Sequence, residues 1–135
     1  MTNARLLVLL CLWMISSVAQ AQSARALGDD FMNVLSKGQV ASAYDRLFKG
    51  SNIGSEQAQS MRRQTEATLV PLGRLLGYEL VREESFGSSL TRLVYVLKSE
   101  RHATLWELYY YRPGSRWFLA EINFSQKFDA IGPKK

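Results

Sequence analysis

Residues 89–125 read SLTRLVYVLKSERHATLWELYYYRPGSRWFLAEINFS, and this stretch decides the fold. Its Val, Leu, Thr, Tyr, Phe and Trp recur with a period near two, the pattern of half-buried strands. Three strands are predicted, over residues 89–99, 103–112 and 116–125, with turns at 99–102 and at Pro113-Gly114. Connections this short exclude a parallel crossover, so the strands pair antiparallel and the last two form a hairpin. A shorter strand is expected over residues 78–84, ahead of a turn around Gly87, which makes four. Leu and Val fall on both faces of the strand over 89–99, so the sheet is expected to curl under a layer of helices.

Upstream the period lengthens to about four. Leu27, Phe31, Val34 and Leu35 make one helical stripe, ended by Gly38. Asp29 and Asp30 are read as early-turn acids facing the helix dipole. Val40, Ala43, Tyr44, Leu47 and Phe48 make a second helix, stopped at Gly50. A third is predicted from a Ser55 cap through Met61, Thr65, Leu69, Leu72 and Leu76, with a kink or break at 67–70 imposed by Pro71 and an end at Gly77. Leu27, Phe31, Val34, Tyr44, Leu47, Val94, Leu108 and Ile122 are expected to be buried. The fold class is therefore α+β: three N-terminal helices packed on a curved four-stranded antiparallel sheet.

The amino-terminal end bears on location. Arg5, the apolar run Leu6 to Ile15 and the small-residue site Ala19-Gln20-Ala21 have the layout of a secretory signal peptide cleaved after Ala21. The run is shorter than the roughly 20 apolar residues of a bilayer-spanning helix, an uncleaved anchor being the alternative. The chain then divides into a leader, 1–21, and a single domain, 22–135, with residues 132–135 read as a loose tail. The one cysteine, Cys11, leaves with the leader, so the mature domain can form no disulfide and offers no thiol nucleophile. An exported domain without bridges fits the bacterial periplasm. Loss of Arg5 leaves sixteen basic against twelve acidic residues, a net +4. The cations, among them Arg62-Arg63, Arg92 and Lys134-Lys135, are scattered as on a solvated surface and do not form a nucleic-acid stripe.

The order of elements, the segment Phe31…Leu35…Gly38…Ala43-Tyr44, and the hairpin Trp106-Glu107-Leu108-Tyr109-Tyr110-Tyr111…Trp117-Phe118-Leu119-Ala120 resemble the nuclear-transport-factor-two-like superfamily, with its cystatin-like cone. The chain is similar in particular to a small periplasmic branch of uncharacterised domains. The resemblance implies a cone with a pocket at its open end. It implies no function, because such cones serve isomerases, cyclases, dehydratases, ligand binders and interaction modules alike.

Chemistry is sparsely signalled. His102 is the only histidine and sits at a strand end, so it is read as an exposed polar residue, and neither a metal nor a cofactor is expected. Ser88 and Ser89 have no partnered histidine to make a nucleophile. Glu107 and Glu121 are the weak catalytic candidates, mid-strand acids flanked by apolar residues. A three-residue hairpin loop sets them face to face, which would raise one pKa; a two-residue loop sends them to opposite faces. The competing reading pairs each with an arginine such as Arg92 on the outer sheet face.

Trp106, Tyr109, Tyr110, Tyr111 and Trp117 are the candidate ligand- or partner-binding residues. Three consecutive tyrosines cannot all point inward, so some ring must face outward. The leading expectation is an exported periplasmic, non-enzymatic module binding a small apolar ligand or an envelope protein through the cone mouth or the aromatic sheet face. A second copy of the chain is among the partners such a face fits. The alternative is a small isomerase- or dehydratase-like enzyme using one of the two glutamates.

Overall fold

A computed structural model describes residues 22–132. The leader expected over 1–21, with its cleavage site, and the last three residues lie outside the described residues. Three helices, α1 (Ala24–Ser36), α2 (Val40–Leu47) and α3 (Ser55–Leu69), precede four strands, β1 (Leu75–Phe86), β2 (Leu90–Ser99), β3 (Ala103–Tyr111) and β4 (Phe118–Ser125). The strands form one antiparallel sheet in chain order, and the fold is α+β. Among the described residues no helix is long and apolar enough to cross a membrane.

Helix α1 starts earlier than its stripe indicates, because Ser23 caps it by accepting a bond from the Ala26 amide at 3.1 Å. Asp29 and Asp30 therefore lie beyond the first turn and act through side chains instead. Asp29 accepts from the Tyr95 hydroxyl (2.8 Å) and lies 3.5 Å from Arg25; Asp30 accepts from Arg46 (2.9 Å). Gly54, not Ser55, is the N-cap of α3, and no side chain caps that helix. Pro71 ends α3 as expected: the α-helix stops at Leu69, followed by a 3₁₀ turn, Val70–Leu72. The stripe does not continue to Leu76. Gly73, at φ 84°, turns the chain, and β1 opens at Leu75 as a 12-residue strand longer than its apolar alternation suggests.

The inner sheet face packs on the helices. Phe31, Tyr44, Leu93, Leu97, Trp106 and Leu108 form its centre, with Trp106 stacked on Phe124 (centroids 4.5 Å apart) and edge-on to Phe31 (5.8 Å). Tyr44 donates to Thr65 Oγ1 at 2.6 Å, since the Thr65 hydroxyl itself donates to the Met61 carbonyl, and this joins α2 to α3. Gly28 marks the closest approach of α1 to β2. A Cβ there would lie 2.5 Å from the Tyr95 hydroxyl and 2.7 Å from Leu93 Cδ1. Of the expected core, Leu27 and Ile122 are only half-buried; the other six residues are buried.

The outer face departs most from expectation. Arg92 is 1% exposed, not a solvated cation. Its Nε donates to Glu107 Oε2 (2.7 Å), Nη1 to Glu84 (2.6 Å), and Nη2 to Glu107 and to the Ala130 carbonyl (3.1 Å). Burial alone would lower the guanidinium pKa, but these carboxylate bonds raise it above its ordinary value. The Ala130 carbonyl belongs to a 3₁₀ turn, Asp129–Ile131, in a segment that folds back after β4. Arg82 donates to Ile131 O (3.2 Å), and the His102 ring nitrogen bonds to Gln126 O (3.0 Å) beside the Phe128 ring. Residues 126–132 thus strap the outer face, and Gly132, read as the start of a loose tail, closes that strap.

Candidate ligand-binding site

The hairpin's register decides which candidate residues meet. Strand β3 ends at Tyr111 and β4 begins at Phe118, so six residues connect them, more than either expected loop. The pairing slips once, Tyr109 facing Glu121 but Tyr110 facing Leu119, so Ala120 is the extra residue of a bulge. Glu107 faces Asn123. The two glutamates therefore share the outer face on a diagonal, neither head-on nor on opposite faces. Glu107 is held by Arg92, while Glu121 is exposed and accepts from the Asn123 amide. Neither reaches the helix-covered side.

The five candidate aromatics separate into three groups. Trp106 is fully buried in the core, its indole N–H donating to Thr104 Oγ1 at 2.9 Å. Tyr109 and Tyr111 point outward, Tyr109 half-buried and Tyr111 46% exposed. Tyr110 and Trp117 point inward and meet α1 and α2 at one end of the molecule.

There they enclose a slot of about 60 Å³ with Leu27, Phe31, Leu47 and Leu119. The slot and a wider recess of about 400 Å³ share Leu27, Asp30, Arg46, Lys49 and Trp117, so one opens into the other. Tyr110 lines the slot, and its hydroxyl is buried with no hydrogen-bond partner among the described residues. An orphaned hydroxyl in an apolar setting costs about 1–3 kcal/mol. Burial, reinforced by the Asp30 carboxylate, pushes its pKa up, so it stays a proton donor. Arg62 Nε is also buried without a partner, but its residue is half-buried rather than enclosed. A larger groove of about 720 Å³ lies at the other end, between the α1–α2 turn and the start of β1. It is broad and open, and no orphaned polar atom faces it.

The recess rim is cationic. Arg46 is neutralised by Asp30, whereas Lys49 and Arg116 on the same wall make no ion pair among the described residues. Arg112 lies over the Trp117 ring, 4.8 Å from its centroid. Among the described residues no group of His, Cys, Asp and Glu is arranged to hold a metal ion.

On the outer face a second feature stands at the same end of the sheet. Phe86, Leu90, Tyr111 and Phe118 are successive cross-strand partners, so they form one row across all four strands. Phe86 and Tyr111 are each 46% exposed. Fold and site together define a helix-on-sheet domain with a small lateral slot that opens into a recess bearing Lys49 and Arg116. No family model, no curated protein and no solved structure matches the chain.

Proposed function

We propose that this protein is an exported periplasmic, non-enzymatic binding module that takes a small, largely apolar ligand in the slot between α1, α2 and the β3–β4 hairpin. Export rests on the leader-like residues 1–21. Ligand binding rests on one observation: a slot walled by Leu27, Phe31, Leu47, Tyr110 and Trp117 that opens into a recess of ligand size. The acid on the slot, Asp30, is ion-paired with Arg46, and Glu107 and Glu121 stand on the far face. The isomerase-like alternative therefore gains no residue in the right place.

Amide-shift mapping with 1-decanol tests the reading. Shifts gathered at Leu27, Leu47, Tyr110 and Trp117 support it; shifts confined to other faces, or none, reject it. Tyr110→Phe sharpens the test, since losing an orphaned hydroxyl should leave stability unchanged or raised while weakening a ligand that accepts from it.

The outer row favours a second reading, in which an envelope protein or a second copy docks on Phe86 and Tyr111. Exposed aromatic rings offer large area with few torsions to freeze. Alanine at Tyr111 should weaken such an association by about 1–2 kcal/mol without unfolding the domain. Unchanged sedimentation and pull-down behaviour in both the Phe86 and Tyr111 variants leaves the row a solvated surface.

A further inference from the structure

We infer that the ligand of the slot is an amphipathic anion: an apolar body with a carboxylate or phosphate-ester head held at the recess rim. The inference rests on the binding reading above and adds the chemistry of the head. Of the ten described arginines, Arg25, Arg46, Arg74, Arg82 and Arg92 are answered by an acid, and the other five, Arg116 among them, are not. What sets this recess apart is that two unanswered cations share its wall. Lys49 stands on the α2–α3 loop and Arg116 on the β3–β4 loop, both on the recess wall and neither ion-paired among the described residues.

The two loops are close together. The Arg116 guanidinium lies 3.8 Å from where a Cβ on Gly50 would sit, so Arg116 reaches across to the residue beside Lys49. Arg112, over the Trp117 ring, donates to the Ser88 carbonyl at 2.9 Å and is not on the recess wall. The one acid on the recess, Asp30, is already satisfied by Arg46 at 2.9 Å and leaves the rim net positive.

Deeper in, Phe31, Leu47 and Leu119 add apolar surface to that of Leu27 and Trp117, while Asp30, Arg46 and Lys49 reach the slot as well. An anion lowered into the slot would lose its hydration beside the Asp30 carboxylate, while an apolar chain has no hydration to lose. An anion at the rim gains charge-assisted bonds from Lys49 and Arg116 and keeps its outer side in water. The slot, at about 60 Å³, takes only the tip of the apolar body, and the rest lies along Leu27 and Trp117 in the recess. At ~30 Å³ per water-sized group, slot and recess together admit about fifteen non-hydrogen atoms. A ten-carbon chain with a small head fits that size.

Titration calorimetry of the purified protein with decanoate, decyl phosphate, 1-decanol and decyltrimethylammonium, all below their micellar concentrations, tests the inference. Decanoate or decyl phosphate should bind about tenfold or more tighter than decanol, and whichever of the two is tighter names the head. The preference should shrink as salt rises from about 20 to 500 mM, because the rim is solvent-screened. The double variant Lys49→Gln, Arg116→Gln should bring the anion's affinity down to that of decanol, and Lys37→Gln, at the opposite groove, should not. Equal binding of anion and decanol, or tighter binding of the ammonium, overturns the anionic head and leaves the slot reading standing. Absence of binding by all four overturns both.

Discussion

The two faces of one sheet bury their residues by different chemistry. The inner face is covered by three helices and filled with rings and aliphatic chains; the Tyr78 and Tyr95 hydroxyls bond across to Asp29, Thr104 accepts from Trp106, and the Tyr110 hydroxyl has no partner among the described residues. The outer face is partly covered by a seven-residue strap, and beside the buried Val94 and Leu105 it seals in a charged arginine. Apolar burial is non-directional and tolerates approximate geometry. A buried guanidinium needs its carboxylates and carbonyl in place together, because each missing partner leaves a desolvated charge. The comparison teaches that the inner face supplies stability and the outer face depends on registration between β1, β2, β3 and the chain end.

The largest effect should come from the inner face. Phe31→Ala removes a ring packed against both Tyr44 and Trp106 and should cost roughly 3–5 kcal/mol in urea unfolding. A loss under about 1 kcal/mol would mean that α1 is peripheral. Arg92→Ala should cost somewhat less, about 2–3 kcal/mol, because Glu84 (37% exposed) and Glu107 (18%) can be partly rehydrated where a sealed pair could not. If the cost equals or exceeds that of Phe31→Ala, the division between the faces breaks down.

High pH should strike the inner face selectively. Burial pushes the Tyr44 hydroxyl up to about 12, against its Thr65 hydrogen bond, and the Tyr95 and Tyr110 hydroxyls are also raised. A raised folded-state pKa stabilises fully below the unfolded value near 10, and that stabilisation is lost as pH climbs from there through the folded pKa. Tyr44 alone should cost about 1.4 kcal/mol at pH 11, read as a fall in urea midpoint from pH 8, and Tyr44→Phe should remove that share. A flat profile to pH 11 would contradict the buried hydroxyls.

The smallest effect belongs to the strap's outer fastening. His102→Gln should change stability by less than about 0.5 kcal/mol and ligand binding by less than about twofold, since His102 is exposed and its Gln126 bond is replaceable. A large loss of binding with the fold retained would place His102 in the site.

Much of this was legible along the chain because period is a local property. Two-residue alternation located β2, β3 and β4 to within about two residues, and four-residue stripes located α1 and α2. Pro71 marked the end of α3 through its missing amide hydrogen. Strand β1 was underestimated because an edge strand alternates weakly: Leu76 and Val81 are the extra residues where its pairing slips, and both are exposed. Gly28, mid-helix, was a readable sign of close approach, since glycine is costly there without a packing reason.

The sequence by itself determined the helix-then-sheet order, the antiparallel pairing, and that the three tyrosines must divide between two faces. Tertiary structure alone decided that Trp106 is core, that Tyr110 and Trp117 meet Lys49 and Arg116 at one slot, and that Arg92 is sealed by Ala130. The Ala120 bulge decided where the two glutamates stand. Periodicity reports which side of its own element a residue occupies. Register, bulges and loop closure set what lies across from it, and they depend on contacts between residues far apart in the chain.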